Sequence, residues 1–222
     1  MSNRVIKTLK RLAMAALCVP ALALAAGAEL HLDKAPVSTA PASLQNGAKM
    51  FVNYCLNCHS ASFARYNTLQ QIGLDDQQIR DNLMFTGERV GDLMTIAMRP
   101  TESKVWFGVT PPDLTLIARQ RASEFGSGAD WLYTYLRKFY RDPDRPTGWN
   151  NVVFGNVAMP HVLWELQGEQ IAKVTKHEDG TQSIVLELAK PGKMSVEDYD
   201  KNVADLVSFL VWMGEPIAGE RR

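Results

Sequence analysis

Cysteine is scarce in this 222-residue sequence: there are three, and Cys18 lies in the leading segment. Histidine is nearly as sparse, with only His31, His59, His161 and His177. A structural zinc site wants four nitrogen or sulfur ligands, and beyond Cys55 and Cys58 no second paired-ligand motif exists to complete one. Net charge is also lacking, since 24 basic residues offset 24 acidic ones. Four of the basic residues (Arg4, Lys7, Lys10 and Arg11) fall in the first 26 positions, which hold no acid. The remainder is mildly acidic, 20 basic against 24 acidic, so nucleic acid is excluded as a natural partner. Long apolar runs are missing too. The stretch LAMAALCVPALALAA is shorter than the ~20 residues needed to cross a bilayer, and Pro20 interrupts it. No internal repeat is visible.

That leading stretch reads as an export signal over residues 1–26. Basic MSNRVIKTLKR runs into the apolar segment, and small residues suited to cleavage lie at Ala23 to Ala26. Bulky Leu17 before Cys18 opposes lipoprotein processing, so Cys18 leaves with the signal. The exported body then works where thiols can oxidise, which sharpens the question of Cys55 and Cys58.

Residues 27–42 read as an extended lead-in. From Ser43, a capping residue, Leu44, Met50, Phe51 and Tyr54 recur at helical spacing up to the cysteines. A second helix is expected over residues 75–85. Thr110, Pro111 and Asp113 spell a third helix start. GADWLYTYLRKFYRDP predicts an aromatic helix over residues 128–143, ended by Pro143. Gly, Pro and Asn then mark a long irregular stretch through His161. Alternation on both sides of Asp179-Gly180 predicts a β-hairpin, and VEDYDKNVADLVSFLVWMGEP a closing helix. The expected fold is mainly α, with long loops and a small β-hairpin insertion.

NYCLNCHSAS, residues 53–62, carries the chemistry. Cys-x-x-Cys alone fits half a zinc site or a redox dithiol. A thioredoxin-like dithiol usually sits between strand and helix in a βαβ context, and here a helix precedes the motif. With His59 directly behind Cys58, covalent haem is the stronger reading: two thiols add to the vinyl groups and the histidine stands under the iron. Iron then needs a ligand on its other face. Met50 is too near His59 in sequence, and Met84, Met94 and Met98 sit on apolar helical spacings that fit core packing. Met159, in the irregular GNVAMPH, precedes Pro160 and is therefore restricted to extended backbone. His161 is its rival. Gly47 and Phe51 stand eight and four residues before Cys55, a spacing that resembles class I cytochromes c, where the glycine lets the terminal helix cross closely. Arg119 and Arg121 are candidates to meet the haem propionates, with Trp106 and Tyr133 as possible neighbours.

Taken together, FVNYCLNCHS, TPPDLTLIARQR, DRPTGWNNVVFGNVAMPHVLWELQG and DLVSFLVWMGEP resemble the cytochrome c1 family over residues 29–215. The resemblance implies one haem c held by Cys55 and Cys58, iron ligated by His59 and Met159, and Arg121, less readily Arg119, at a propionate. It implies a class I cytochrome c-like haem domain over residues 43–215. The implied setting is the periplasmic side of the bacterial inner membrane, in a cytochrome bc1 complex with cytochrome b. The Rieske iron–sulfur protein would be the electron donor and a cytochrome c the acceptor, with no bond chemistry on the chain itself. The family ends in a membrane anchor. Val203 to Met213 is too short for one, so residues 216–222 are expected to be a tail cut just before the anchor, or the end of a soluble relative. A free periplasmic electron carrier and a periplasmic thiol–disulfide oxidoreductase are the alternatives.

Overall fold

The computed structural model describes residues 30–178, 180 and 182–217. The expected export signal with Cys18, the Asp179 half of the hairpin turn and the end of the tail lie outside the described residues. Helix α1 (Pro41–Met50) runs into a π-helical turn at Phe51–Cys55. Strand β1 (Ala61–Arg65), a 3-10 turn at Tyr66–Ile72, α2 (Asp76–Asn82) and β2 (Leu93–Met94) follow. Next come α3 (Pro100–Phe107), short α4 (Ile117–Gln120), α5 (Gly128–Arg137), β3 (Phe139–Arg141) and β4 (Trp149–Asn151). Short α6 (Trp164–Gln167), the hairpin β5 (Gly168–Lys176) and β6 (Gln182–Pro191), and α7 (Val196–Gly214) complete the chain. Helices form the body. The strands make a two-stranded sheet, β1-β2, and a four-stranded one ordered β4-β3-β5-β6, antiparallel except between β3 and β5.

The centre of the core is the crossing of α1 and α7. Gly47 makes it possible, because a Cβ there would lie 2.1 Å from the Asp205 carbonyl oxygen and 2.6 Å from Phe209 Cβ. The close approach seats the fully buried Phe51 ring 5.6 Å from that of Phe209. Ser43 does not cap α1. Pro41 opens the helix, and the Ser43 hydroxyl donates instead to Asp205 Oδ1 at 2.5 Å. Asn46 and Lys201 donate to the other oxygen. Burial pushes the Asp205 carboxyl up, but these hydrogen bonds outweigh it and hold it below its ordinary value.

The lead-in from residue 30 is a strap rather than a loose arm. The Asp33 amide donates to Thr134 Oγ1, the Ala35 amide to Asp130 Oδ1 and the Ser38 amide to Ser208 Oγ, each at 2.8–2.9 Å. Arg137 clamps Asp33 at 2.8 Å and Asp200 at 2.6 Å, so the strap is joined to both α5 and α7.

Three further expectations are corrected here. Helix α5 stops at Arg137, six residues short of Pro143, because Phe139–Arg141 pairs with β4 and β5. The Gln170 side chain takes up the carbonyls of Arg137 and Phe139 that a longer helix would have used. Thr110 starts no helix; residues 109–114 are irregular. Met98 is also misplaced by the helical spacing: it is half-buried in an irregular segment, whereas Met94 is 1% exposed in the core.

Candidate functional site: a thiol–histidine turn and a methionine loop

The π-helical turn delivers both cysteines. The amides of Cys58 and His59 both donate to the Cys55 carbonyl, at 3.0 and 2.9 Å, which folds the motif into one tight turn. Cys55 is buried and Cys58 half-buried, and they are not bridged. Burial, with a smaller push from Cys58, raises the Cys55 thiol to about 12, and burial raises Cys58 too. A dithiol oxidoreductase needs an attacking thiol whose pKa is lowered. Here both environments do the opposite. Among the described residues no group of three or more His, Cys, Asp or Glu side chains could hold a metal ion, which leaves the zinc reading without ligands.

His59 is oriented by a backbone atom. Its Nδ1 lies 2.7 Å from the Pro112 carbonyl oxygen. A carbonyl only accepts, so Nδ1 carries the proton and Nε2 keeps its lone pair for a metal. Burial holds the ring below its ordinary pKa, against smaller opposing effects of the Pro112 bond and Asp113. Pro112 is itself fixed. Asp113 accepts from the Ser62 amide at 2.7 Å, the Thr115 amide at 2.8 Å and the Thr115 hydroxyl at 2.6 Å. The Leu114 amide donates to Ser60 O at 2.8 Å. The Pro-Pro-Asp-Leu segment is thus stitched to the residues just after the histidine.

Met159 sits at the end of a loop tied down by two asparagines. Asn151 Oδ1 accepts from the amides of Val153 and Phe154, and Asn150 Oδ1 from that of Asn156. Asn151 Nδ2 reaches back to the Tyr135 carbonyl at 2.8 Å. The Met159 sulfur accepts a hydrogen bond from the Tyr135 hydroxyl at 3.4 Å. His161, the rival, is 2% exposed, stacked on Phe139 at 4.8 Å and edge-on to Trp149 at 5.1 Å. Burial lowers its pKa to about 4, and its place is a cage beneath the loop.

The two arginines separate clearly. Arg119 is largely exposed and ion-paired with Glu215. Arg121 lies 4.5 Å over the Trp131 ring and 5.9 Å from that of Phe154, and its Nε is buried with no hydrogen-bond partner among the described residues. A buried, unpaired guanidinium donor on an aromatic shelf suits an anionic group. Trp106 is exposed on α3, and Tyr133 lies under Arg137 rather than under either of these arginines. Sequence reading missed Pro112, Trp131, Tyr135 and the Asn150-Asn151 pair. Of these, Pro112 was visible only as part of TPPDLTLIARQR and the asparagines only as part of an irregular loop, neither with a role assigned.

Two free thiols on one turn, a histidine with Nε2 available, a thioether on a pinned loop and an unpaired arginine all fit a haem, and they define a c-type cytochrome. A family model described as the Cytochrome C1 family matches residues 36–222, and the chain belongs to that family. It is similar to a Nitrosomonas europaea protein named ammonia monooxygenase gamma subunit, 51% identical over 217 residues, covering 97% of this chain and 87% of that one. It is similar to cytochrome c1 of Allochromatium vinosum, 45% identical over 210 residues, covering 92% and 84%. A mitochondrial cytochrome c1 heme protein of Arabidopsis thaliana is 27% identical over 209 residues, covering 82% of this chain and 58% of its own length. The cofactor is haem c, attached covalently through Cys55 and Cys58, and the protein is a haem electron-transfer subunit of a respiratory chain. Both thiols are thereby consumed, which removes the dithiol-oxidoreductase reading.

Proposed function

We propose that this protein relays single electrons from a Rieske iron–sulfur protein to a cytochrome c, as the haem subunit of a cytochrome bc1 complex. The haem supplies the one-electron couple, and His59 and Met159 are its two axial ligands. The observation that carries the assignment is the 2.7 Å contact of His59 Nδ1 with Pro112 O, which leaves Nε2 as the ring's only donor to a metal. Arg121 meets a propionate with its otherwise unpaired Nε. Arg119, ion-paired with Glu215, is the weaker candidate for that role. The α1–α7 crossing at Gly47 supports a class I cytochrome c-like haem domain. The chain performs no bond chemistry alone and acts as the redox subunit of a quinol–cytochrome c oxidoreductase. The export signal in residues 1–26 and the bacterial relatives support the periplasmic side of the inner membrane, docked on cytochrome b. No helix among the described residues is long and apolar enough to cross a membrane.

The name of the Nitrosomonas europaea relative favours a second reading, in which the same haem domain serves an ammonia-oxidising assembly. Purification of the tagged protein from its native membranes separates the two. Cytochrome b and a Rieske protein should co-purify, and quinol should reduce the haem only while the Rieske protein is present. Co-purification with ammonia monooxygenase subunits, without cytochrome b, would contradict the bc1 assignment.

A further inference from the structure

Asn156 is the one non-glycine residue with a left-handed backbone among the described residues, at φ 59°. It stands three positions before Met159, between Gly155 and the buried Val157. Asparagine tolerates this conformation better than most residues, but the conformation still needs holding. Three hydrogen bonds hold it. The Asn156 amide donates to Asn150 Oδ1 at 2.8 Å. Arg145 supplies the other two: Nη2 donates to the Asn156 carbonyl at 2.9 Å and Nη1 to Asn156 Oδ1 at 3.2 Å. Both Nη atoms of the guanidinium thus fork onto one residue. The arginine works from a fixed base. Its own turn is closed by the Asp142, Arg145 and Gly148 amides, which donate to Gly148 O, Asp142 O and Arg145 O at 2.9–3.2 Å. Asn150 Nδ2 ties that turn to β4 by donating to Asp142 Oδ2 at 2.8 Å.

A thioether is a neutral, soft donor, and ferric iron readily exchanges it for imidazole or hydroxide. What keeps so weak a ligand in place is a loop already ordered before the sulfur binds, because little entropy is then left to lose. We propose that Arg145 is a positioning residue for the electron-transfer reaction: by gripping Asn156 it fixes the loop that offers Met159, and so holds the sulfur on ferric iron against competing ligands. This rests on Met159 being the second axial ligand. A competing nitrogen ligand would lower the potential that the thioether keeps high. The clamp therefore protects the redox poise of the relay.

The test titrates haem-loaded ferric protein with imidazole, which binds only where the sulfur has left. The readout is the red charge-transfer band that a thioether gives with ferric haem. The apparent affinity for imidazole scales with the fraction of protein whose sulfur is off. Arg145→Gln should raise that affinity about five- to thirtyfold, the scale of the ordering entropy of one backbone residue. Arg145→Lys keeps the charge but cannot fork, so its affinity should rise as well. Asn156→Asp keeps a residue that accepts the left-handed backbone and gives the clamp a charged acceptor, so its affinity should fall below wild type. That variant decides the matter if the Arg145 variants fail to load haem. Met159→Ala should lose the band and bind imidazole tightly, and Arg145→Gln added to it should change nothing further. Wild-type affinity in both Arg145→Gln and Asn156→Asp would overturn the clamp while leaving the ligand in place. So would an equal rise from Arg145→Gln on the Met159→Ala background. Retention of the band in Met159→Ala would overturn the axial assignment itself, and the role of Arg145 with it.

Discussion

At the scale of single residues, Asp113 controls more than its own position. It accepts three hydrogen bonds at 2.6–2.8 Å from Ser62 and Thr115, and its neighbour Pro112 orients His59. Asp113→Ala strands those donors and frees the Pro112 carbonyl. Leaving part-buried donors unpaired costs about 1–3 kcal/mol each when no water replaces the lost partner. A loss of about 2–3 kcal/mol is expected in denaturant unfolding, with a weakened low-spin haem spectrum. An unchanged midpoint would show that the segment is held elsewhere. The cysteines and His59 were legible in the sequence because three reactive side chains at fixed spacing leave a mark. Pro112 was not, because it acts through a carbonyl that every residue possesses. Tyr135 was hidden for a related reason: an aromatic at helical spacing reads as core, and only the fold shows its hydroxyl meeting a sulfur 24 residues away.

At the scale of elements, the helix crossing and the strap make separate predictions. Gly47→Val places a branched side chain where even a Cβ lies 2.1 Å from a backbone oxygen of α7. Overpacking of this kind costs about 1–3 kcal/mol or more, read as a lower unfolding midpoint at unchanged haem content. The strap depends on Asp130, where burial raises the carboxyl but bonds from Ala35, Ser127 and Lys34 bring it down to about 2. A carboxylate depressed in the folded state stabilises the protein above its ordinary pKa, and that stability is lost as pH falls through the folded value. Between about pH 4 and pH 2 the wild type should therefore lose about 1–2 kcal/mol through this group. Asp130→Asn should show a flatter stability profile in that window and lower stability at pH 7. An identical acid limb in both proteins would contradict it. The β5–β6 hairpin, pinned in register by Ala172↔Leu186 and Val174↔Ile184, exposes much of its apolar surface.

Local signals located the hairpin and the closing helix because alternation and helical periodicity each persisted for many residues. They failed where a distant partner competed for the backbone. Ser43 gave its hydroxyl to Asp205, Asp113 turned to Ser62 instead of starting a helix, and Gln170 took the carbonyls beyond Arg137. None of these partners lies within 25 residues in sequence, so no local pattern reported them.

At the scale of the whole molecule, the proposed relay asks two segments far apart in sequence to serve one metal. The turn at Cys55 to His59 hangs from α1, the Met159 loop hangs from α5 and β4, and α7 binds these parts together with the strap. The proposed ligands are separated by a long stretch of chain, and the value of that length is independent control of each ligand. The central claim is axial ligation by His59 and Met159, and potentiometric titration of haem-loaded Met159→His tests it most directly. The variant should keep covalent haem at Cys55 and Cys58 and a six-coordinate spectrum, but titrate well below wild type, within the ~0.8 V that axial ligands span. A drop of about 200 mV would shift the equilibrium with an iron–sulfur donor more than a thousandfold toward the donor, at ~59 mV per tenfold. Met98→Leu, at a half-buried position in an irregular segment, should titrate with wild type. A Met159→His potential equal to that of wild type, with a shift at another methionine, would contradict the assignment and move the ligand to that residue.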